Sequence, residues 1–393
     1  MKHFYLILGL FSALLITSCK KDPEVDLPPP VSYDNIIVQT NITEDTTWTA
    51  DKVWQLSGRI VVTNGATLTI EPGTIIKGDE GTGANAASLV IARGSKLIAE
   101  GTEDAPIIFT SIIDGISPDD INVGVFSSPN LNPTISGLWG GVIILGNAPI
   151  SASNDVGDVS QVQIEGIPTS DPSGLYGGNN PSDNSGILRY VSIRHGGANI
   201  GSGNEINGLT LGGVGSGTVI DNVEVVANQD DGIEFFGGTV NATNIVVWNV
   251  GDDSIDADQG WSGTLDNFII HYHIGSPGGH CFELDGPEGS LITGYTIKNG
   301  EVKASNGVVG AEDLINMDDN SRVNLEAIYF TSIIPGQKIN RVIFEAGEVT
   351  FNNIFLDVDV LESHVNGIPP LGIQIGTISQ ANKSGLGWTW TPI

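Results

Sequence analysis

The sequence predicts an all-β fold, a single-stranded right-handed parallel β-helix with loop insertions. Three observations predict it: a side-chain pattern that returns every 22 or 23 residues, strand-like alternation inside each repeat, and 52 glycines among 393 residues with no helical periodicity. The best-preserved repeats are "IDNVEVVANQDDGIEFFGG" from Ile220, "ATNIVVWNVGDDSIDADQG" from Ala242 and "LDNFIIHYHIGSPGGHCFELDG" from Leu265.

Asn222, Asn244 and Asn267 head the repeats, where a carboxamide can bond neighbouring backbone and tolerate a positive φ. After each comes an alternating pair, Val223/Val225, Ile245/Val247 and Phe268/Ile270, with one apolar face. A second strand aligns as Ile233-Glu234-Phe235, Ile255-Asp256-Ala257 and Phe282-Glu283-Leu284, with weaker members at Leu209-Thr210-Leu211 and Ile315-Asn316-Met317 and an earlier version in "GGVIILG", 140–146. Such a unit, closed by Gly and Asn corners, is one coil of a solenoid. A β-sandwich would have turn-separated strands without recurring side-chain identities.

The front half follows the same plan at looser spacing: "GATLTIEPGTIIKG" from Gly65 and "GSKLIAEGTEDAPIIFTS" from Gly94 share Gly-x-x-Leu-x-x-Glu. Segments 114–136 and 151–185, rich in Asp, Ser, Pro and Gly, are expected to leave the coil as loops. Residues 36–60 are expected to begin the helix. The terminal "SGLGWTWTPI", with Trp388 and Trp390, is expected to cap the last coil.

Ahead of this domain, 36–393, lies a different kind of sequence. Residues 1–18 place Lys2 and His3 before an apolar run, Phe4 to Ile16, the layout of an export signal too short to span a membrane in the mature protein. Ile16-Thr17-Ser18-Cys19 resembles a bacterial lipobox, which implies acylation of Cys19 and an anchor in the outer membrane. Residues 19–35, with charges and Pro28-Pro29-Pro30, read as a stiff tether. Without residues 1–18 the chain carries 15 basic and 46 acidic side chains, a net of −31. That excludes nucleic acid and anionic lipid as natural partners and favours cations or neutral glycans. Cys281 is the only other cysteine, so no internal disulfide forms once Cys19 is acylated.

The segments "ATLTIEPGTIIKG", "LWGGVIILGNAPI", "NEINGLTLGGVGSGTVIDNVEV", "DDGIEFFGGTVNATNIV" and the terminal "GWTW" resemble a group of right-handed parallel β-helix surface lipoproteins of Bacteroidetes-type bacteria, with a pectin-lyase-like fold. The resemblance spans most of residues 40–390. It implies an outward-facing outer-membrane lipoprotein and leaves activity open, since fold does not transfer function.

The functional question centres on two acidic rows. Stacked coils stand about 4.8 Å apart. With Ile233, Ile255 and Phe282 inward, Glu234, Asp256 and Glu283 form one outward row, and Asp231, Asp253 and His280 a second beside it. Two unit charges about 5 Å apart repel by about 3 kcal/mol at an effective dielectric of about 20. Three readings are open. The rows lie on a solvated, salt-screened face; or Asp231, Glu234, Asp253, Asp256 and Glu283 hold Ca²⁺, with Asp230 and Asp252 as alternates; or they are catalytic.

For the last, "QDDGIE", "GDDSID" and "GGHCFE" are similar to the Asn-Thr-Asp, Gly-Asp-Asp and Gly-His-Gly segments of polygalacturonase-type glycoside hydrolases. The resemblance maps catalytic roles onto Asp231, Asp252, Asp253 and His280, one aspartate as acid and the others activating water. Gln229 and Asp230 replace Asn-Thr, Cys281 replaces the last glycine, and "IKNGEVK", 297–303, lacks the arginine of the family's Arg-Ile-Lys. A pectate-type lyase would need an arginine base, and Arg189 and Arg194 lie on an earlier coil.

Around these rows, Trp139, Trp248, Trp261 and Tyr272 are candidates for stacking on sugar, with Trp248 and His271 in equivalent outward positions. His271 and His273 could join His280 on a metal. Cys281 is expected to be a corner or semi-buried thiol. "GGVGSG", 212–217, is not a phosphate loop, because no helix follows it. The expectation is therefore a tethered β-helix that binds glycan or another surface component, with Ca²⁺ as its candidate ion and polysaccharide hydrolysis as the competing activity.

Overall fold

The computed structural model describes residues 35–83, 86–200, 205–272, 279–340 and 348–393. The export signal, Cys19, the tether up to residue 34 and His273 lie outside them.

The chain winds into a parallel β-helix. A 15-stranded sheet and an 8-stranded sheet enclose one continuous core, and within them neighbouring strands come from successive coils and run parallel. The repeats pair as the sequence predicts: Ile233, Ile255 and Phe282 stand in register and are buried in the core. The weaker members, Leu209–Gly212 and Asn316–Met317, and the early Val142–Leu145 belong to the same smaller sheet. The front-half repeat is also in register, Thr67 opposite Lys96.

Each of the long strands Val219–Val226, Asn241–Trp248 and Thr264–His271 bends where its asparagine sits. Asn222, Asn244 and Asn267 have φ of 54°, 55° and 61°. The asparagines therefore turn a paired strand through a corner, rather than preceding it. Their side chains form a ladder: Asn267 Nδ2 donates to Asn244 Oδ1 at 2.7 Å, and Asn244 Nδ2 to Asp221 Oδ1 at 2.8 Å.

The two insertions fold back onto the helix. Ile116 and Ile121, the latter on the short helix Pro118–Asn122, pack on Val53, Ile75 and Ile108 of the larger sheet. The second insertion forms small antiparallel pairs, Ala152–Asn154 with Gly157–Val159 and Val162–Gln163 with Leu175–Tyr176. Its Ile164, Ile167 and Tyr176 cover Val61, Val90 and Ile143 on the outside of the smaller sheet.

The C-terminal segment does not cap the last coil. It runs back along the outside of the larger sheet, where Leu386 packs on Val246 and Ile269, and Trp388 meets Tyr190 edge to face. The tryptophans find ring partners there, Trp388 on Tyr190 and Trp390 on Trp248 and His195, while Ile375 of the last strand, Ile373–Ile375, stays exposed.

Candidate functional site

The outer column of the smaller sheet changes character along the axis. In register it reads Val61, Val90, Ile143, Thr210, Glu234, Asp256, Glu283, Asn316. The apolar members lie under the second insertion, and the first acidic member, Glu234, is still buried, with Glu165 and Tyr176 of that insertion close enough to act on it.

A second column occupies the corner before these strands. Asp231 Oδ1 accepts the amide of Asp253 at 2.9 Å, one coil on, and Asp253 Oδ1 accepts the amide of His280 at 2.5 Å and approaches its Nδ1 at 2.8 Å. Asp313 repeats the arrangement on the Lys338 amide at 2.9 Å. One oxygen of each aspartate is thus committed to an otherwise unpaired backbone donor, which explains why this corner favours Asp.

The two rows are the ones expected from the sequence, but the solvated reading fails. Asp231 and Glu234 are each 7% exposed and Asp253 4%. Asp252, Asp256, His280 and Glu283 are half-buried. Ligand atoms of Asp231, Glu234 and Asp256 lie within 4.8 Å of one another, as do those of Asp230, Asp231 and Asp252, and those of Asp253, His280 and Glu283. Among the described residues, the His280–Asp253 contact is the only pairing of these acids with a basic side chain.

Burial and crowding lift the carboxyls. Burial first, then Asp256, Asp230 and Asp253, hold Asp231 well above the usual carboxylate range. Glu234 rises likewise through burial and Asp256, and Asp256 through burial, Asp253 and Glu283. Asp253 is pushed up to about 10 by burial and Glu283, and Asp230 to about 7 by burial and Asp252. Asp252 is raised by burial and Glu283, with His280 opposing. Glu234 lies beside Asp256, and Asp253 beside Glu283, with carboxylate oxygens of each pair within 4.8 Å of one another.

Even so, acceptors are left over. Asp256 Oδ1 and Asn207 Oδ1 are sealed from solvent without a hydrogen-bond partner. Asn207, whose Nδ2 donates to Glu234 Oε2, was missed by sequence reasoning. It sits 24 residues before Asp231, so extending the repeat one coil earlier would have found it. Glu165 and Glu205 also act on the cluster, and both come from irregular segments that carry no repeat signal.

None of the four aromatic residues expected beside the acids offers a free ring to this face. Trp261 has no exposed surface; its ring stacks on Phe235 at 4.0 Å and its Nε1 donates to Val240 O at 2.9 Å. Tyr272 is buried with its hydroxyl donating to Asp252 O at 3.0 Å, and Trp139 is buried with Nε1 on Arg194 O at 2.7 Å. Each indole or phenol satisfies its polar atom internally, which lets the ring serve the packing. Trp248 and His271 do occupy equivalent positions, but on the larger sheet, where Trp390 packs against Trp248 with ring centroids 5.8 Å apart.

His271 is therefore not a companion of His280, and burial with Lys303 and Lys383 depresses it to about 4. Cys281 is wholly buried rather than at an open corner, and burial raises its thiol. Arg189 bonds Asp221 and Glu100, and Arg194 is buried beside Glu224, both on the larger sheet. Neither arginine is placed as a lyase base for the acidic column.

Residues 40–343 match the family described as a pectate-lyase-like β-helix domain. No curated protein matches. Among solved structures, the pectin methylesterase from Aspergillus niger is similar at 12% identity over 82% of this chain and 84% of that chain, with a TM-score of 0.34.

Proposed function

The chain belongs to the pectate-lyase-like β-helix family, and from that premise we propose that its acidic column is a Ca²⁺ site at the heart of a glycan-binding surface protein. The observation that carries the reading is the triad Asp231, Glu234 and Asp256: ligand oxygens within 4.8 Å of one another, two of the three residues buried, and Asp256 Oδ1 without a partner. Ca²⁺ takes six to eight flexible oxygen ligands, and a divalent ion removes the mutual repulsion that otherwise protonates the cluster. Asn207 Oδ1 is a neutral oxygen beside the same carboxylates. Asp253 and Glu283 continue the row on the next coils, and Asp230 and Asp252 form its half-buried rim. Sugar hydroxyls would meet the half-buried rim of Asp230 and Asp252 rather than the sealed triad, a recognition that needs no aromatic platform.

Thermal melts with calcium and with chelator test this. Millimolar Ca²⁺ should raise Tm by several degrees, and Asp253→Ala with Asp256→Ala should abolish the rise. An unchanged Tm in the parent protein sinks the reading.

A second reading, polysaccharide hydrolysis, draws on Asp230, a half-buried carboxyl lifted to about 7 beside Asp252 and so a proton donor near neutral pH. Against it, oxygens of that group approach within 4.8 Å, whereas an inverting pair leaves about 6.5–9.5 Å for water. Release of reducing sugar from a polysaccharide panel, lost in Asp252→Asn, would favour the enzyme; calcium-dependent retention on glycan without cleavage favours binding. Acylation of Cys19 and display at the cell surface complete the proposal, and Cys19→Ser should move the protein from the membrane to the soluble fraction.

A further inference from the structure

The C-terminal segment is attached to the helix in an unusual way. Residues 377–380 leave the last coil exposed to solvent, and beyond them Leu386, Trp388 and Thr391 are buried while Gly387, between the first two, is exposed. No strand pairing ties residues 379–393 to either sheet. None of these residues belongs to the core inside the coils; Leu386 packs with Val246 and Ile269 in a separate outer cluster.

The groove beneath is nevertheless shaped and charged for its occupant. Glu224, Val246, Ile269 and Glu301 are successive outward residues in one register. Each meets the segment: Thr391 donates its amide and hydroxyl to Glu224 Oε1 at 2.8 and 2.7 Å, Leu386 covers Val246 and Ile269, and Lys383 pairs with Glu301 at 2.7 Å. Trp390 lies 5.1 Å from the Arg194 guanidinium. Arg194 and Glu224 are completely buried, so the segment seals an ion pair the coil alone would leave open on one side.

We infer that this flank of the β-helix is a peptide-binding groove, selective for a turn-containing segment with aromatic residues at alternate positions followed by a hydroxyl residue, and that the C-terminal segment is its resident ligand. Anchoring through side chains and a few single backbone groups, Thr391 N and Asn382 N and O, without a strand ladder, makes the contact separable from folding of the coils.

A protease site placed within residues 377–380 allows the linker to be cut after folding. The cut segment should stay bound, and a labelled synthetic peptide of residues 381–393 should exchange into the groove. The same peptide with Trp390→Ala and Thr391→Ala should bind at least tenfold more weakly. Loss of the segment on cutting, with no binding of the labelled peptide, overturns the inference, as does equal binding by the substituted peptide. Cutting should leave the calcium response of the acidic column intact, which separates this result from the fate of the calcium proposal.

Discussion

Asp231 shows how one side chain can serve two ends. Its Oδ1 accepts the amide of Asp253, a bond that an asparagine oxygen can also make, while its charge crowds Glu234 and Asp256. Asp231→Asn should therefore raise stability in chelator near neutral pH, by about 1 kcal/mol or more, because it removes the cost of protonating a buried, crowded carboxyl and keeps the acceptor. The same change should weaken Ca²⁺ binding at least tenfold by calorimetry. A loss of stability in chelator would mean that the amide bond, not charge, dominates there. Trp261 gives the opposite lesson, for its stacked, fully buried ring has no free face. Trp261→Ala should cost about 3–5 kcal/mol in urea unfolding. The surviving folded protein should bind ligand as before.

At the scale of elements, the coil corner is set by asparagine. Asn267 holds φ 61° and both receives the Asn382 amide and donates to Asn244. Glycine accepts that backbone without strain, whereas alanine meets the left-handed penalty of about 1–2 kcal/mol. Asn267→Ala should therefore be less stable than Asn267→Gly by about 1 kcal/mol, read from denaturant midpoints; equal stabilities would show that the ladder bonds alone matter. The outer column makes a related point about strands. The same outward position is Ile143 where the insertion presents Ile164 and Ile167, and Glu234 where Asn207 supplies a polar partner, so the side chain follows its neighbours rather than its place in the repeat.

Over the whole molecule the acidic burial becomes a pH dependence. Asp230 and Asp258, both lifted to about 7, and Asp253, to about 10, bind protons in the folded chain that the unfolded chain releases near 4. The folded state is thus favoured by protons, and its advantage declines as pH rises from about 4 through 7 and on toward 10. In chelator, Tm should fall across that window; with saturating Ca²⁺ the slope should flatten, because the ion replaces the protons. A Tm that rises through the window without calcium would contradict the raised carboxyls.

The sequence by itself determined the solenoid, its register and the inward Ile233, Ile255 and Phe282, because a coil copies its local pattern to its neighbour and a strand's alternation separates the two faces. It also placed Glu234, Asp256 and Glu283 in one row. Alternation names the outward side without saying what lies outside. Only the tertiary structure decided that the outward acids are largely shut from water, that Trp261 and Tyr272 are buried, and that Trp248 looks onto the C-terminal segment rather than the acids. Those outcomes depend on insertions and a tail whose contacts span more than a hundred residues, such as Thr391 on Glu224, and no repeat of 22 residues encodes them.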